Sequence, residues 1–304
     1  MSPRASTAPR LPMDGRRPQA RPPAGPTLRA RLRDRGAVFG AWTSIGHPSI
    51  TEIFTAAGVD FVGIDLEHST ISQEQSQRII AASQAGGAAC LPRLSSHNAE
   101  QARRLLDSGA DGVIVPTVAS AAQIKEIVSW VKYPPVGARG YGVARAQGYG
   151  MNFAEYAAGW NERSIVIIQI ESIRAVETID ELLAHEAIDG VMVGPYDISG
   201  SLGIPGQLTH RRVTEACDRV VEACRRHGKG CGTQLIEPTG ANVQESFEQG
   251  FTFVVLSSDV FLLWKWSERM RGLIQPLRRP RQTLPGRAHL SNTAPRRFLR
   301  RIPR

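Results

Sequence analysis

The chain has 304 residues, 41% of them hydrophobic, and a formal net charge of +9. That is enough for one large core or two small ones, and no apolar run approaches the roughly 18–20 residues of a membrane helix, which argues against a bilayer-spanning protein. The charge is unevenly placed: residues 1–30 hold six Arg and one Asp (+5) and residues 276–304 nine Arg and no acid (+9), so the segment between them carries −5.

Both basic ends are rich in Pro and lack apolar periodicity. Residues 1–26 and 276–304 therefore read as disordered tails flanking one folded domain at 27–275. The N-terminal arginines are not followed by an apolar stretch, so no secretory signal is expected. Loose contact of the tails with nucleic acid or an anionic surface is conceivable. A solvated tail is the simpler expectation, with no specific nucleic-acid and no membrane partner. The cysteines, Cys90, Cys217, Cys224 and Cys231, form no C-x-x-C pair, which argues against a zinc ribbon or redox motif. They are expected as small core residues of a cytoplasmic protein.

In chain order, eight strand-like runs alternate with helical patterns. They are VFGAWTSI (38–45), FVGIDLE (61–67), AACLPRL (88–94), GVIVPTV (112–118), IVIIQIE (165–171), GVMVGP (190–195), GKGCGTQL (228–235) and FTFVVLSS (251–258). The helical stretches between most of them, such as AEQARRLLDSG, tend to end at Gly just before the next strand, as helix C-caps do. Eight such units predict an α/β fold, a (β/α)8 TIM barrel; an open doubly wound sheet is the second choice. The spacing breaks once, at 133–164, where YPPVGARGYGVARAQGYG reads as a long loop, functional or disordered. Its glycines lack a βαβ frame, so a dinucleotide site is not expected there.

In a parallel barrel the functional side chains collect at the C-terminal ends of the strands. Those ends carry Asp65, Glu67 and His68, then Arg93, then Pro116 and Thr117, then Gln169 and Glu171, then Pro195, Tyr196 and Asp197, then Gln234, and last Ser257, Ser258 and Asp259. Side chains two apart share a face, so Asp65 and Glu67 point one way, opposite Ile64 and Leu66. Gln169 and Glu171 likewise oppose Ile168 and Ile170. Glu171 and Asp197 end neighbouring strands, about 4.8 Å apart. Two bare carboxylates there would repel, and a hard divalent cation resolves that; the alternative is that either acid caps a helix or binds a loop amide. His68 suits a base near neutral pH. Arg93, in an otherwise apolar strand, needs an anionic partner or stabilises an oxyanion. None of the four lysines falls at a strand's C-terminal end, so a Schiff-base mechanism has no obvious nucleophile. No G-x-S-x-G elbow or Walker loop is present.

The pieces AGVDFVGIDLEHS, LPRL, LLDSGADGVIVPTV, YPPVGARGYG, VIIQIES, GPYDIS and LSSDVFLL, in this order over residues 38–270, resemble the HpcH/HpaI family of class II, metal-dependent pyruvate aldolases. Among these are 4-hydroxy-2-oxoheptane-1,7-dioate and 2-keto-3-deoxy-sugar-acid aldolases. The resemblance implies that Glu171 and Asp197 bind Mg, Mn or Co, and that Gln169 and the backbone at Tyr196 hold the pyruvate part. It implies His68 as base, Arg93 as stabiliser of the enolate, and Asp107 as the acid that raises the basicity of His68, with Asp65 and Glu67 behind them. A 4-hydroxy-2-keto acid would be cleaved to pyruvate and an aldehyde through an enolate held by the metal. A homohexamer is also implied. Ser69-Thr70 after His68 and Tyr196 before Asp197 depart from the family pattern at positions expected to face the aldehyde. Two rivals are a CoA-ester lyase of the citrate-lyase type and a non-enzymatic nucleic-acid binder using the Arg-rich tails. Finally, VFLLWKWSERMRGL (260–273) predicts a helix whose Leu262, Leu263, Trp264 and Trp266 are too apolar for solvent. Either a neighbouring subunit or the chain's own barrel would cover it.

Overall fold

The computed structural model describes residues 27–278, so the tails expected at 1–26 and 276–304 lie outside the described residues, save for residues 276–278, which end the last helix. The chain divides after Leu262 into two compact units.

The first unit is the barrel. Eight parallel strands close in chain order, β1 (Val38–Thr43), β2 (Phe61–Asp65), β3 (Ala89–Arg93), β4 (Gly112–Val115), β5 (Ile165–Ile170), β6 (Gly190–Val193), β7 (Gly230–Leu235) and β8 (Phe253–Ser258), with β8 pairing back onto β1. The helices are α1 (Leu28–Arg33), α2 (Pro48–Ala56), α3 (Gln73–Ala85), α4 (Ala99–Asp107), α5 (Ala121–Val131), α6 (Phe153–Arg163), α7 (Ile173–Glu177), α8 (Ile179–Leu183), α9 (Pro195–Ser201), α10 (Arg211–Arg226), α11 (Gly240–Glu248) and α12 (Asp259–Arg278). The expected strands are all present, each trimmed at one or both ends. Side-chain oxygens of Ser72, Asn98, Ser120 and Thr239 cap the backbone N–H groups that open α3, α4, α5 and α11. These caps satisfy donors that a helix start leaves unpaired.

The core has two shells, and strand alternation assigns residues to them. Val38, Trp42, Phe61, Leu91, Ile114, Ile167, Met192, Phe253 and Val255 fill the barrel. Ile64, Val113, Ile168, Ile170 and Val193 face outward into the helix layer. Asp65 and Gln169 therefore belong to the inward set, as their parity requires. Leu32 of α1 joins the inner cluster, so α1 stops the pole where the strands begin.

The segment 133–164 differs from the expected loop: its last third is α6, preceded by a 3-10 turn at Arg145–Gln147. Its anchor is Arg139, whose guanidinium lies 4.8 Å from the Tyr133 ring, 5.8 Å from Tyr156 and 4.6 Å from Trp160. Trp160 is itself buried and donates its indole N–H to the Val131 carbonyl. Gly159 interrupts the helical pattern in sequence, yet tertiary packing of Tyr156 and Trp160 outweighs its poor propensity.

The second unit begins at Leu263, and its described residues continue α12. Leu263, Trp264, Trp266, Leu273 and Leu277 are exposed. Among the described residues no helix is long and apolar enough to cross a membrane.

Candidate active site at the barrel mouth

The β2–β3 ladder pairs Asp65 with Arg93, both inward at the last rung. Asp65 Oδ1 accepts from Arg93 Nη2 at 2.8 Å and from the backbone N–H groups of Glu67 (3.1 Å) and His68 (3.0 Å). Burial alone would raise the Asp65 carboxyl, but the Arg93 charge and these hydrogen bonds together hold it below its ordinary value. Glu67 Oε2 lies 3.2 Å from Arg93 Nη1. Burial raises the Glu67 carboxyl; the Arg93 charge opposes this, while Asp65 and Asp197 add to it. Beneath the guanidinium lies the Trp42 ring, 5.0 Å from Arg93 Cζ, a cation–π contact. Trp42 fits because the facing residue is Gly63, where a Cβ would meet the ring at 2.5 Å. Arg93 is thus fixed on three sides.

Across the mouth, Gln169 faces Met192 in the β5–β6 ladder, which continues through the Gly194 N–H to the Ile170 carbonyl at 3.0 Å. Glu171 therefore stands beside Gly194, and Asp197 returns toward it from the first turn of α9. A Cβ at Gly194 would lie 3.0 Å from both Asp197 Oδ2 and Glu171 Cγ. The two acids converge on this cradle, and glycine keeps it open. Glu171 Oε2 accepts from the Thr117 N–H at 2.8 Å and Oε1 from Gln169 Nε2 at 2.9 Å. Burial pushes its carboxyl up to about 7; the Thr117 N–H opposes this, and the facing charges of Glu67 and Asp197 reinforce it. Gln169 is buried, with Oε1 lacking a partner.

These observations fit a hard divalent cation. Two carboxylates meet in an open cradle, one of them protonates too easily for its type, and a buried amide oxygen beside them is orphaned. Among the described residues no set of three or more His, Cys, Asp and Glu is arranged to hold a metal. A cation at this cradle would meet two carboxylates, Glu171 and Asp197, a set that suits an ion keeping several waters.

Of the remaining expected residues, His68 stands at the rim with its side chain 71% exposed and Nε2 3.9 Å from Glu67 Oε2. Tyr196 is exposed beside Asp197 and packs against Gly206. Asp107 closes α4, a helix that leaves the mouth after β3 and returns to the pole where β4 begins. Its Oδ1 there accepts from Arg139 Nη2 at 2.7 Å. Within this chain Asp107 does not meet His68.

Sequence reasoning missed Thr117, Trp42 and Gly194 as parts of this site. Thr117 has φ 53°, a left-handed conformation uncommon for a β-branched residue; its place at a strand end was visible, its conformation was not. Trp42 could have been found as the one bulky ring at an inward position near the first strand's end. Gly194 was visible within GPYD, but its role depends on what it faces.

Residues 39–265 match the HpcH/HpaI aldolase/citrate lyase family. A 5-keto-4-deoxy-D-glucarate aldolase of Escherichia coli O139:H28 is 30% identical over 234 residues, covering 77% of this chain and 90% of that protein. The crystal structure of an HpcH/HpaI aldolase from Desulfitobacterium hafniense DCB-2 superposes with a TM-score of 0.76 at 31% identity, covering 85% of this chain and 98% of that one. The citrate synthase SbnG follows with a TM-score of 0.73 at 27% identity, covering 83% and 98%.

Proposed function

We propose, from the premise that this chain belongs to the HpcH/HpaI aldolase/citrate lyase family, that it is a divalent-metal-dependent lyase cleaving a 4-hydroxy-2-keto acid to pyruvate and an aldehyde. The observation that carries this reading is the convergence of Glu171 and Asp197 on the cradle at Gly194, with Gln169 beside them and Arg93 and His68 at the same end of the barrel.

Mg, Mn or Co held by Glu171 and Asp197 would supply Lewis acidity to the keto group of the substrate. Gln169 places an amide against the same oxygens. Arg93 is already oriented by Asp65, Glu67 and Trp42, so it meets a developing oxyanion without reorganising, which is where such stabilisation is most effective. His68 takes the proton of the C4 hydroxyl; the C3–C4 bond breaks, the aldehyde leaves, and the electron pair stays on C3 as the pyruvate enolate. His68 then returns that proton to C3, which completes pyruvate. Asp107 could support His68 only from a second copy of the chain.

The test is retro-aldol cleavage of a panel of 4-hydroxy-2-keto acids, with pyruvate release as the readout. Chelation should abolish it and Mn or Mg restore it. Full turnover by metal-free protein, or a borohydride-trapped adduct on a lysine, would overturn the reading.

A further inference from the structure

At the pole opposite the mouth, a cavity of about 590 Å³ opens between α1 and the starts of β6 and β7. Four cations line it: Arg29 and Arg33 from α1, Lys132 after α5, and Lys229 before β7. Arg29, Lys132 and Lys229 are buried, none more than 9% exposed.

The acids available do not match them. Among the described residues Asp189 is the fully buried carboxylate here: its Oδ1 accepts from Arg29 Nε at 2.8 Å and Arg33 Nε at 2.9 Å, and its Oδ2 from the Val166 N–H at 3.0 Å. Glu186 also lines the cavity, but it is exposed. Glu162 approaches Arg29 at 3.6 Å, but its side chain is 89% exposed and so screened. Lys132 is satisfied by three oxygens, the Asn161 and Ser164 carbonyls and Ser164 Oγ. Lys229 is not. Its Nζ reaches only the carbonyls of His185 and Glu186, both at 3.4 Å, and among the described residues it has no carboxylate partner. Arg33 spends Nε on Asp189 and Nη2 on the Glu186 carbonyl, leaving Nη1. His185, also lining the cavity, accepts from the Ala187 N–H on Nδ1, so the neutral ring keeps its proton on Nε2.

Buried charges are ordinarily paired, and a barrel's N-terminal pole ordinarily serves stability. The Asp189–Arg29–Arg33 clip does that work, and Lys229 takes no part in it. Burial first, then the Arg33 charge, lowers the Lys229 amine from its ordinary value, against the opposing charges of Asp189 and Glu186. We propose that this pole is an oxyanion-binding site, taking a compact dianion, the phosphoryl or dicarboxylate group of a small metabolite, on Lys229, Arg33 and His185. The proposal is independent of the chemistry at the mouth.

The experiment is calorimetric titration of the full, chelator-treated chain with inorganic phosphate and, separately, succinate, each against chloride at matched ionic strength. At least one should bind saturably, one per chain, and raise the melting temperature, as a ligand of the native state does. Phosphate alone assigns a phosphoryl ligand, succinate alone a dicarboxylate, and both a general dianion. Lys229→Met should weaken binding by roughly tenfold or more, the worth of a charged hydrogen bond, while Lys229→Arg retains it. Metal-dependent cleavage measured without the anion should be unchanged in both. If Lys229→Met fails to fold, judged by circular dichroism, Lys229→Gln takes its place. Absence of saturable binding by either anion, or binding to the Met or Gln variant as tight as to the unaltered chain, overturns the proposal.

Discussion

Thr117 holds φ 53°, a conformation that costs a β-branched residue about 1–3 kcal/mol and persists only where its surroundings impose it. Its N–H lies on Glu171 Oε2, so the strained residue orients a carboxylate expected to bind metal. Glu171 itself sets a pH dependence. Its folded value of about 7 lies above the ordinary 4.5, so the folded state binds the extra proton. That contribution to stability is complete below about 4.5 and lost as pH rises through 7. Melting temperatures of chelated protein should therefore fall across this window relative to Glu171→Gln. Metal and proton compete for the same oxygens, so apparent metal affinity should weaken as pH falls below about 7. His68→Ala should lose about 10²–10⁴-fold in rate while metal affinity survives. Exchange of pyruvate methyl protons with D2O isolates the step, and a wild-type exchange rate would remove His68 as base.

At the scale of elements, the site depends on the register of β5 against β6, which sets Glu171 beside Gly194. Gly194→Ala should fold, because the site opens to the mouth, yet lose metal binding, because its Cβ occupies the cradle; unchanged affinity by titration with Mn would contradict this. The 133–164 segment depends on Arg139, whose side chain is fully buried and paired with Asp107. Removing one partner of such a pair leaves a buried charge, so Asp107→Ala should cost on the order of 3 kcal/mol in denaturant unfolding. Stability and activity must therefore be measured together in any Asp107 variant. An activity loss at full stability would point to His68 of another copy rather than to Arg139.

On the scale of the whole molecule, α12 presents Leu262, Leu263, Trp264 and Trp266 at 47–52% exposure. Single exposed apolar residues are ordinary, but a row of large ones marks a surface that is covered in use. A homo-oligomer, the hexamer implied by the resemblance, is the expected state. Light scattering should exceed the 33.1 kDa of one chain, and Trp266→Asp should shift it downward. Deleting residues 1–26 and 279–304 should leave cleavage intact and remove any nucleic-acid binding, which separates an enzyme with basic tails from a basic binding protein.

Strand count, closure and the inward set were legible because alternation and Gly-ended helices are local patterns, and because parallel barrels place function at strand ends. Asp65, Glu67, Arg93, Gln169, Glu171 and Asp197 were legible for the same reason: a polar side chain ending an apolar strand announces itself. Only the tertiary structure decided what each one faces. It paired Asp107 with Arg139 within the chain, because a helix returns its C-terminus to the far pole. It made α6 from a Gly-rich stretch, because two aromatic rings close over one guanidinium. It set Thr117, Trp42 and Gly194 into the site, because strain, stacking and an empty cradle belong to pairs of elements and to no stretch of sequence alone.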